Sequence, residues 1–269
     1  STVSFISSSM LPSLFLIIIT VIAGIVACQR DDDEPAKEAR SISRLYISTS
    51  DYDGNGGNNY YNVYVVDPAD SNVFPPYDSI YKFTSGARGG NYINYSPLSE
   101  GLIFQGSQNG PSYLDTAVQV MSVSPTGVLK NTGRIATRKL DRVRGIFYTV
   151  VSEVGLSDAY LLILNASDTL GSTLFAVNRP ASQGSYTRPR YHLPLDYNPW
   201  GITISERNVF VTKIASTDRP TAKNGIVVYK NFTTKFLANT PDSLMTNVAR
   251  YDLDIKGANN VRGITYAKD

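Results

Sequence analysis

The chain has almost none of the residues from which metal centres and disulfides are built. Of its 269 residues, one is cysteine (Cys28) and one is histidine (His192). A lone cysteine cannot close an internal disulfide and makes a poor metal site. A lone histidine excludes a multi-histidine metal centre, and any Ser-His-Asp arrangement would depend on His192 alone. No Gly-x-Ser-x-Gly elbow is present to supply the serine. The charges nearly cancel, 25 Lys and Arg against 23 Asp and Glu, with no concentrated basic block. Nucleic-acid binding wants a Lys/Arg stripe and is therefore not expected. Gly86-Ala87-Arg88-Gly89-Gly90 has the glycines of a phosphate loop but lies between two expected strands, with no helix following to offer its N-terminus. Helical periodicity is hard to find anywhere after Cys28.

One long apolar run is present, and it is uncharged: LPSLFLIIITVIAGIVAC, ending on that cysteine. Its length suits either a signal-peptide core or a short spanning segment. The residues at its end, Ile25, Val26, Ala27 and Cys28, resemble the bacterial lipobox. The resemblance implies lipid on the Cys28 sulfur and cleavage before it, with small Ala27 filling a tight protease subsite. The alternative is an uncleaved membrane anchor. Next come Asp31-Asp32-Asp33-Glu34, four consecutive acids that cannot pack into a core, which makes the stretch to residue 42 a solvated tether. This stretch resembles the acidic segment of surface-exported lipoproteins of the Bacteroidetes group, implying an outer-membrane protein facing outward. A spacer holding a periplasmic domain off the bilayer is the other possibility. The expected organisation is a lipoprotein signal peptide at 1–27, a lipidated cysteine and acidic tether at 28–42, and a folded domain at 43–269.

The domain reads as all-β. Tyrosine is abundant, at 18 residues, and the chain is rich in Val, Ile, Thr, Gly and Asn. Short alternating runs recur around 44–49, 62–67, 101–105, 117–123, 145–151, 160–164, 208–212 and 225–229, each bounded by turn formers. The sequence also repeats itself. Arg190-Tyr191-His192-Leu193 precedes Trp200-Gly201-Ile202-Thr203, and Arg250-Tyr251-Asp252-Leu253 precedes Arg262-Gly263-Ile264-Thr265. Between the Gly-Ile-Thr triplets the order is strand, a two-residue turn at Glu206-Arg207, and three further strands. Four antiparallel strands per repeat of about 45 to 60 residues describe a β-propeller blade. The Gly-Ile-Thr, Val-Phe-Val-Thr and Ile-Val-Val-Tyr strands resemble the propeller superfamily that includes NHL-type repeats. Four blades can be traced: 43–84 joined by 261–269, 91–136, 138–195 and 199–255. The expectation is a ring closed by pairing of the terminal strands, or else a fragment of a larger ring.

Candidate sites are sparse. Asp51, Asp53 and Asn55, with Gly56 at the sixth position, match the first half of a calcium loop; Asn62 stands where a bidentate Glu would complete it. A Gly/Asn-rich turn explains the same residues. Propeller enzymes of the lactonase type hold a divalent metal in the central channel with Glu, Asn and Asp, for which Glu206, Asn198, Asp218 and Asp254 are available. Trp200 and the Tyr- and Asn-rich loops suit contact with a glycan or protein, and Trp200 suits a blade core as well. The expected function is noncatalytic binding of a protein or glycan at the envelope surface. A metal-dependent hydrolase and a structural envelope component are the alternatives.

Overall fold

Alternation of apolar and polar side chains puts residues i and i+2 on one face of a strand. The segments that alternate in this sequence are strands in the computed structural model of the protein. It describes residues 44–49, 61–69, 80–86, 92–95, 101–107, 117–136, 140–153, 156–167, 171–178, 191–215, 223–233, 248–252 and 262–267. All of them lie within the unit Ser43–Asp269.

Among these residues the elements are fifteen β-strands in four antiparallel sheets. The first sheet holds β1 (Leu45–Ser48), β2 (Val63–Val66) and β3 (Tyr81–Phe83). The second holds β4 (Ile93–Tyr95), β5 (Leu102–Gly106), β6 (Ala117–Val123) and β7 (Leu129–Ala136). The third holds β8 (Arg142–Glu153), β9 (Leu156–Ala166), β10 (Ser172–Asn178) and β11 (Tyr191–Leu195). The fourth holds β12 (Asn198–Ser205), β13 (Asn208–Ile214), β14 (Gly225–Tyr229) and β15 (Val248–Asp252). In every sheet the strands lie side by side in chain order. The protein is thus all-β, as its composition indicates, and each traced repeat contains one sheet. The Glu206-Arg207 turn also forms as expected. Ser205 pairs with Asn208 across it, and Glu206 takes a φ of 55°, the left-handed conformation that a tight two-residue hairpin requires.

The sheets pack face to face in sequence order, and strand alternation divides the side chains between neighbours. On β9, Leu161 and Ile163 enter a core with Phe104, Val118, Val120 and Ile135 of the second sheet. Tyr160, Leu162 and Leu164, one residue out of phase, enter a core with Ile202, Val209, Val211 and Val227 of the fourth. A third core joins Val63 and Val65 of β2 to Ile103, Met121 and Leu129. A strand buried on both faces needs apolar residues at both parities, which is why β9 reads as an unbroken apolar run. Each such side chain contributes about 1.5–3 kcal/mol on burial.

Polar side chains complete the junction of the first two sheets. Gln105 is fully buried on β5; its Nε2 donates to Ser48 Oγ (2.6 Å) and to the Asn62 carbonyl (3.0 Å), and its Oε1 accepts from the Ser85 hydroxyl. Asn62 Oδ1 in turn accepts from Ser85 N (2.8 Å). Arg44 adds a surface tie, donating to Asp67 Oδ2 (2.8 Å) and to the Pro125 carbonyl (2.6 Å) in the β6–β7 turn.

The sequence repeat suggests that the last segment pairs with β1 as its missing first strand. Among the described residues, 262–267 form no strand, and β1 is the edge of a three-stranded sheet. At its start this segment is tied to other strands instead: the Arg262 carbonyl accepts from Thr212 Oγ1 (2.8 Å) and from the Tyr92 hydroxyl (3.2 Å).

Candidate functional site

The first strand of each of the two later sheets carries a residue-Gly-Ile triplet: Arg144-Gly145-Ile146 on β8 and Trp200-Gly201-Ile202 on β12. Arg262-Gly263-Ile264 repeats the pattern after β15. Glycine is required where one triplet passes the next. A Cβ on Gly145 would sit 2.8 Å from the Trp200 carbonyl oxygen and 3.1 Å from Ile202 Cγ2. A Cβ on Gly201 would meet the Arg262 carbonyl oxygen closer still, with Tyr92 Oη at 3.1 Å and Thr212 Oγ1 at 3.2 Å. Backbones can approach this closely only where the side chain is absent. Thr212 fixes the arrangement: its hydroxyl accepts from Gly201 N (2.7 Å) and donates to the Arg262 carbonyl.

Because the triplets are in register, the residues ahead of the glycines come together. The Arg144 guanidinium carbon lies 4.1 Å from the Trp200 ring centroid, and that of Arg262 lies 4.5 Å from it. One cation comes from the preceding sheet and one from the following segment. Each contact is worth roughly 0.5–2 kcal/mol, more where water is excluded. The two charges stand within roughly 9 Å of each other, so at an effective dielectric of about 20 their repulsion costs on the order of 2 kcal/mol, and less where water reaches exposed Arg262. Attraction to the ring and repulsion between the cations are therefore of similar size. Arg262 is exposed, Arg144 and Trp200 are half-buried, and no carboxylate pairs with Arg262 among the described residues. Tyr92 closes the cluster. Burial pushes its phenol up to about 12, while the Arg262 and Arg144 charges pull the other way. The hydroxyl is neutral at ordinary pH and acts as a donor to Arg262.

Of the residues singled out in the sequence, Trp200 is at the centre of this cluster. Asn198 and Glu206 are not brought together. Asn198 opens β12 and Glu206 follows its other end, a separation on the order of 25 Å at strand rise, too far to share a metal ion. Asp218 and Asp254 lie outside the described residues, as do Ile25, Val26, Ala27 and Cys28. Asp51, Asp53 and Asn55 also lie outside them. Asn62, at the twelfth position of that calcium-like pattern, is a buried residue whose amide oxygen accepts from Ser85 N. His192 is exposed on β11, opposite Phe175, and Asp252 is exposed on β15, where Lys213 Nζ pairs with it at 2.5 Å and lowers its pKa. No three His, Cys, Asp or Glu side chains converge among the described residues.

Sequence reasoning did not find Arg144 or Tyr92. The signal for Arg144 was present, since Arg-Gly-Ile at 144–146 is identical to Arg-Gly-Ile at 262–264. Tyr92 has no such signal. It precedes a three-residue strand and acts through its reach to a distant carbonyl. No family model matches the chain, and no curated protein matches it significantly.

Proposed function

We propose that this chain is a lipid-anchored envelope protein, tethered through Cys28 and facing outward from the outer membrane, whose β-propeller domain binds a glycan or protein partner without chemically altering it. One observation carries the binding reading: two guanidiniums and an aromatic ring are gathered, partly exposed, where successive sheets meet. Such a group offers directional hydrogen-bond donors and a flat apolar surface, the chemistry of recognition. Four consecutive meandering sheets, stacked in chain order, support the propeller arrangement. So does the Arg262 carbonyl, which takes hydrogen bonds from both the second sheet (through Tyr92) and the fourth (through Thr212). The lipobox residues 25–28 and the four acids after them support the anchor.

The hydrolase alternative draws no support from Asn198 and Glu206, which stand at opposite ends of one strand. Two measurements test the proposal. In a Gram-negative host fed labelled palmitate, the wild-type chain should take up label and lose the apolar run before Cys28, and Cys28→Ser should do neither. Label on the serine variant would refute the anchor. Turnover of lactones by the purified chain supplied with divalent metal would refute the noncatalytic reading.

A further inference from the structure

The two faces of the fourth sheet are used differently. On β13 and β14, Val209, Val211, Val227 and Tyr229 enter the core shared with the third sheet. Strand alternation turns Asn208, Phe210, Ile226, Val228 and Lys230 to the opposite face. There, with Asn231, they line a cavity of about 490 Å3. Sites for small molecules run from roughly 300 to 1,000 Å3. The lining divides in two. Phe210, Ile226 and Val228 are its apolar part, with Phe210 directly opposite Val228 in the ladder. Asn208, Lys230 and Asn231 are its polar part, and it contains no carboxylate among the described residues. The Asn208 amide oxygen is already engaged, accepting from Asn231 N at 3.0 Å, which leaves the amide NH2 as a donor. Lys230 is exposed and pairs with no Asp or Glu among the described residues. An apolar surface therefore adjoins hydrogen-bond donors and one positive charge that has no counter-charge.

We propose that this cavity is a second site, independent of the binding reading above, that takes a small aromatic carboxylic acid. The ring of the acid lies against Phe210, Ile226 and Val228, and its carboxylate accepts from the Lys230 ammonium and the Asn208 amide. A planar body suits the flat face of a sheet, and Phe210 offers it offset stacking. An anionic end suits the uncompensated charge of Lys230, since complementary potentials select the partner. A protein partner fits less well: a stable interface covers about 800 Å2 on each side, whereas this cavity has the size of one small molecule.

The test is equilibrium dialysis of 2-naphthoate against the full chain in lipid nanodiscs, with empty nanodiscs as the blank. Saturable uptake of one naphthoate per chain is expected. 2-Naphthylmethanol, which keeps the rings and loses the charge, should bind about tenfold more weakly, as for loss of one hydrogen bond between charged groups. Lys230→Gln should bring naphthoate down to the level of the alcohol, and Lys230→Arg should keep most of the affinity. Phe210→Ala should weaken both compounds, and Lys130→Gln, on the second sheet, should change neither. Circular dichroism melts check that each variant folds; exposure of Lys230 makes that the expected result for its two variants. Equal binding of acid and alcohol, with Lys230→Gln unchanged, would overturn the anion assignment. Tighter binding of octanoate than of naphthoate would overturn the aromatic assignment. Uptake that does not saturate, or that Phe210→Ala and Lys230→Gln both leave intact, would overturn the site, as would no uptake at all. None of these results bears on Trp200 or on the partner bound there.

Discussion

The first and third sheets are built from the same strand chemistry and are held in opposite ways. The third sheet lies between two others. Its central strand β9 is 11 residues long, and Tyr160 to Leu164 are all essentially inaccessible to solvent. The first sheet has described neighbours on one side. Its strands are three or four residues long, Leu45 and Tyr81 are exposed, and its attachment to the second sheet depends on buried polar groups around Gln105. Apolar burial is non-directional and scales with area, so a sheet covered on both faces becomes long and uniform. Where only one face is covered, directional hydrogen bonds supply the missing specificity, at a higher cost if one partner is removed.

That contrast can be broken at several points. The largest effect is expected in the third sheet, where Leu162→Ala opens a cavity in a core shared with the fourth. A loss of about 2–5 kcal/mol is predicted in denaturant titrations, against a much smaller loss for Leu45→Ala on the exposed edge. Next is the polar junction. Gln105→Leu strands Ser85, Ser48 and the Asn62 carbonyl, and should cost about 1–3 kcal/mol although the new side chain is apolar and of similar size. A comparable loss is predicted for Gly201→Ala, whose methyl group meets the Arg262 carbonyl. Gly263→Ala is its control: nothing lies within 4 Å of that position, so the change should stay within about 0.5 kcal/mol. The smallest effect belongs to the surface tie. Asp67→Asn should cost at most about 1 kcal/mol, diminishing as salt is added.

A pH series sharpens the comparison at Tyr92. Its folded-state pKa, raised by burial to about 12, exceeds the unfolded value near 10. The stabilisation is therefore complete below pH 10 and is lost as pH rises toward 12, where the buried phenol must ionise. Tyr92→Phe should flatten the part of that decline that Tyr92 contributes, measured by chemical denaturation at pH 9, 10.5 and 11.5.

Much of the architecture was legible in the sequence, and the reason is local. Runs such as Ala117–Val123, apolar but for Gln119 and Ser122, and Gly225–Tyr229, with no polar side chain but the Tyr229 phenol, are short and β-rich, and both became strands with those bounds. Less legible were β3 and β4, three residues each, and β7, whose outward Lys130, Asn131 and Thr132 erase the apolar pattern. The site was half legible. Trp200 stood out as the lone tryptophan, yet its meaning depends on Arg144 and Arg262, 56 and 62 positions away and joined to it only by the packing of glycines. Asn198 and Glu206 were available to a metal only as residue types, and an extended strand turns the eight-residue step between them into a long distance.

The central claim is that the Arg262 segment docks on Gly201 and brings its guanidinium over Trp200. Acrylamide quenching of Trp200 emission in the native chain tests it most directly. The account predicts a partly shielded tryptophan whose quenching increases in Arg262→Gln, increases further in Gly201→Ala, and is unchanged in Gly263→Ala. Quenching that is the same in the wild-type chain and in both of the first two variants would contradict it.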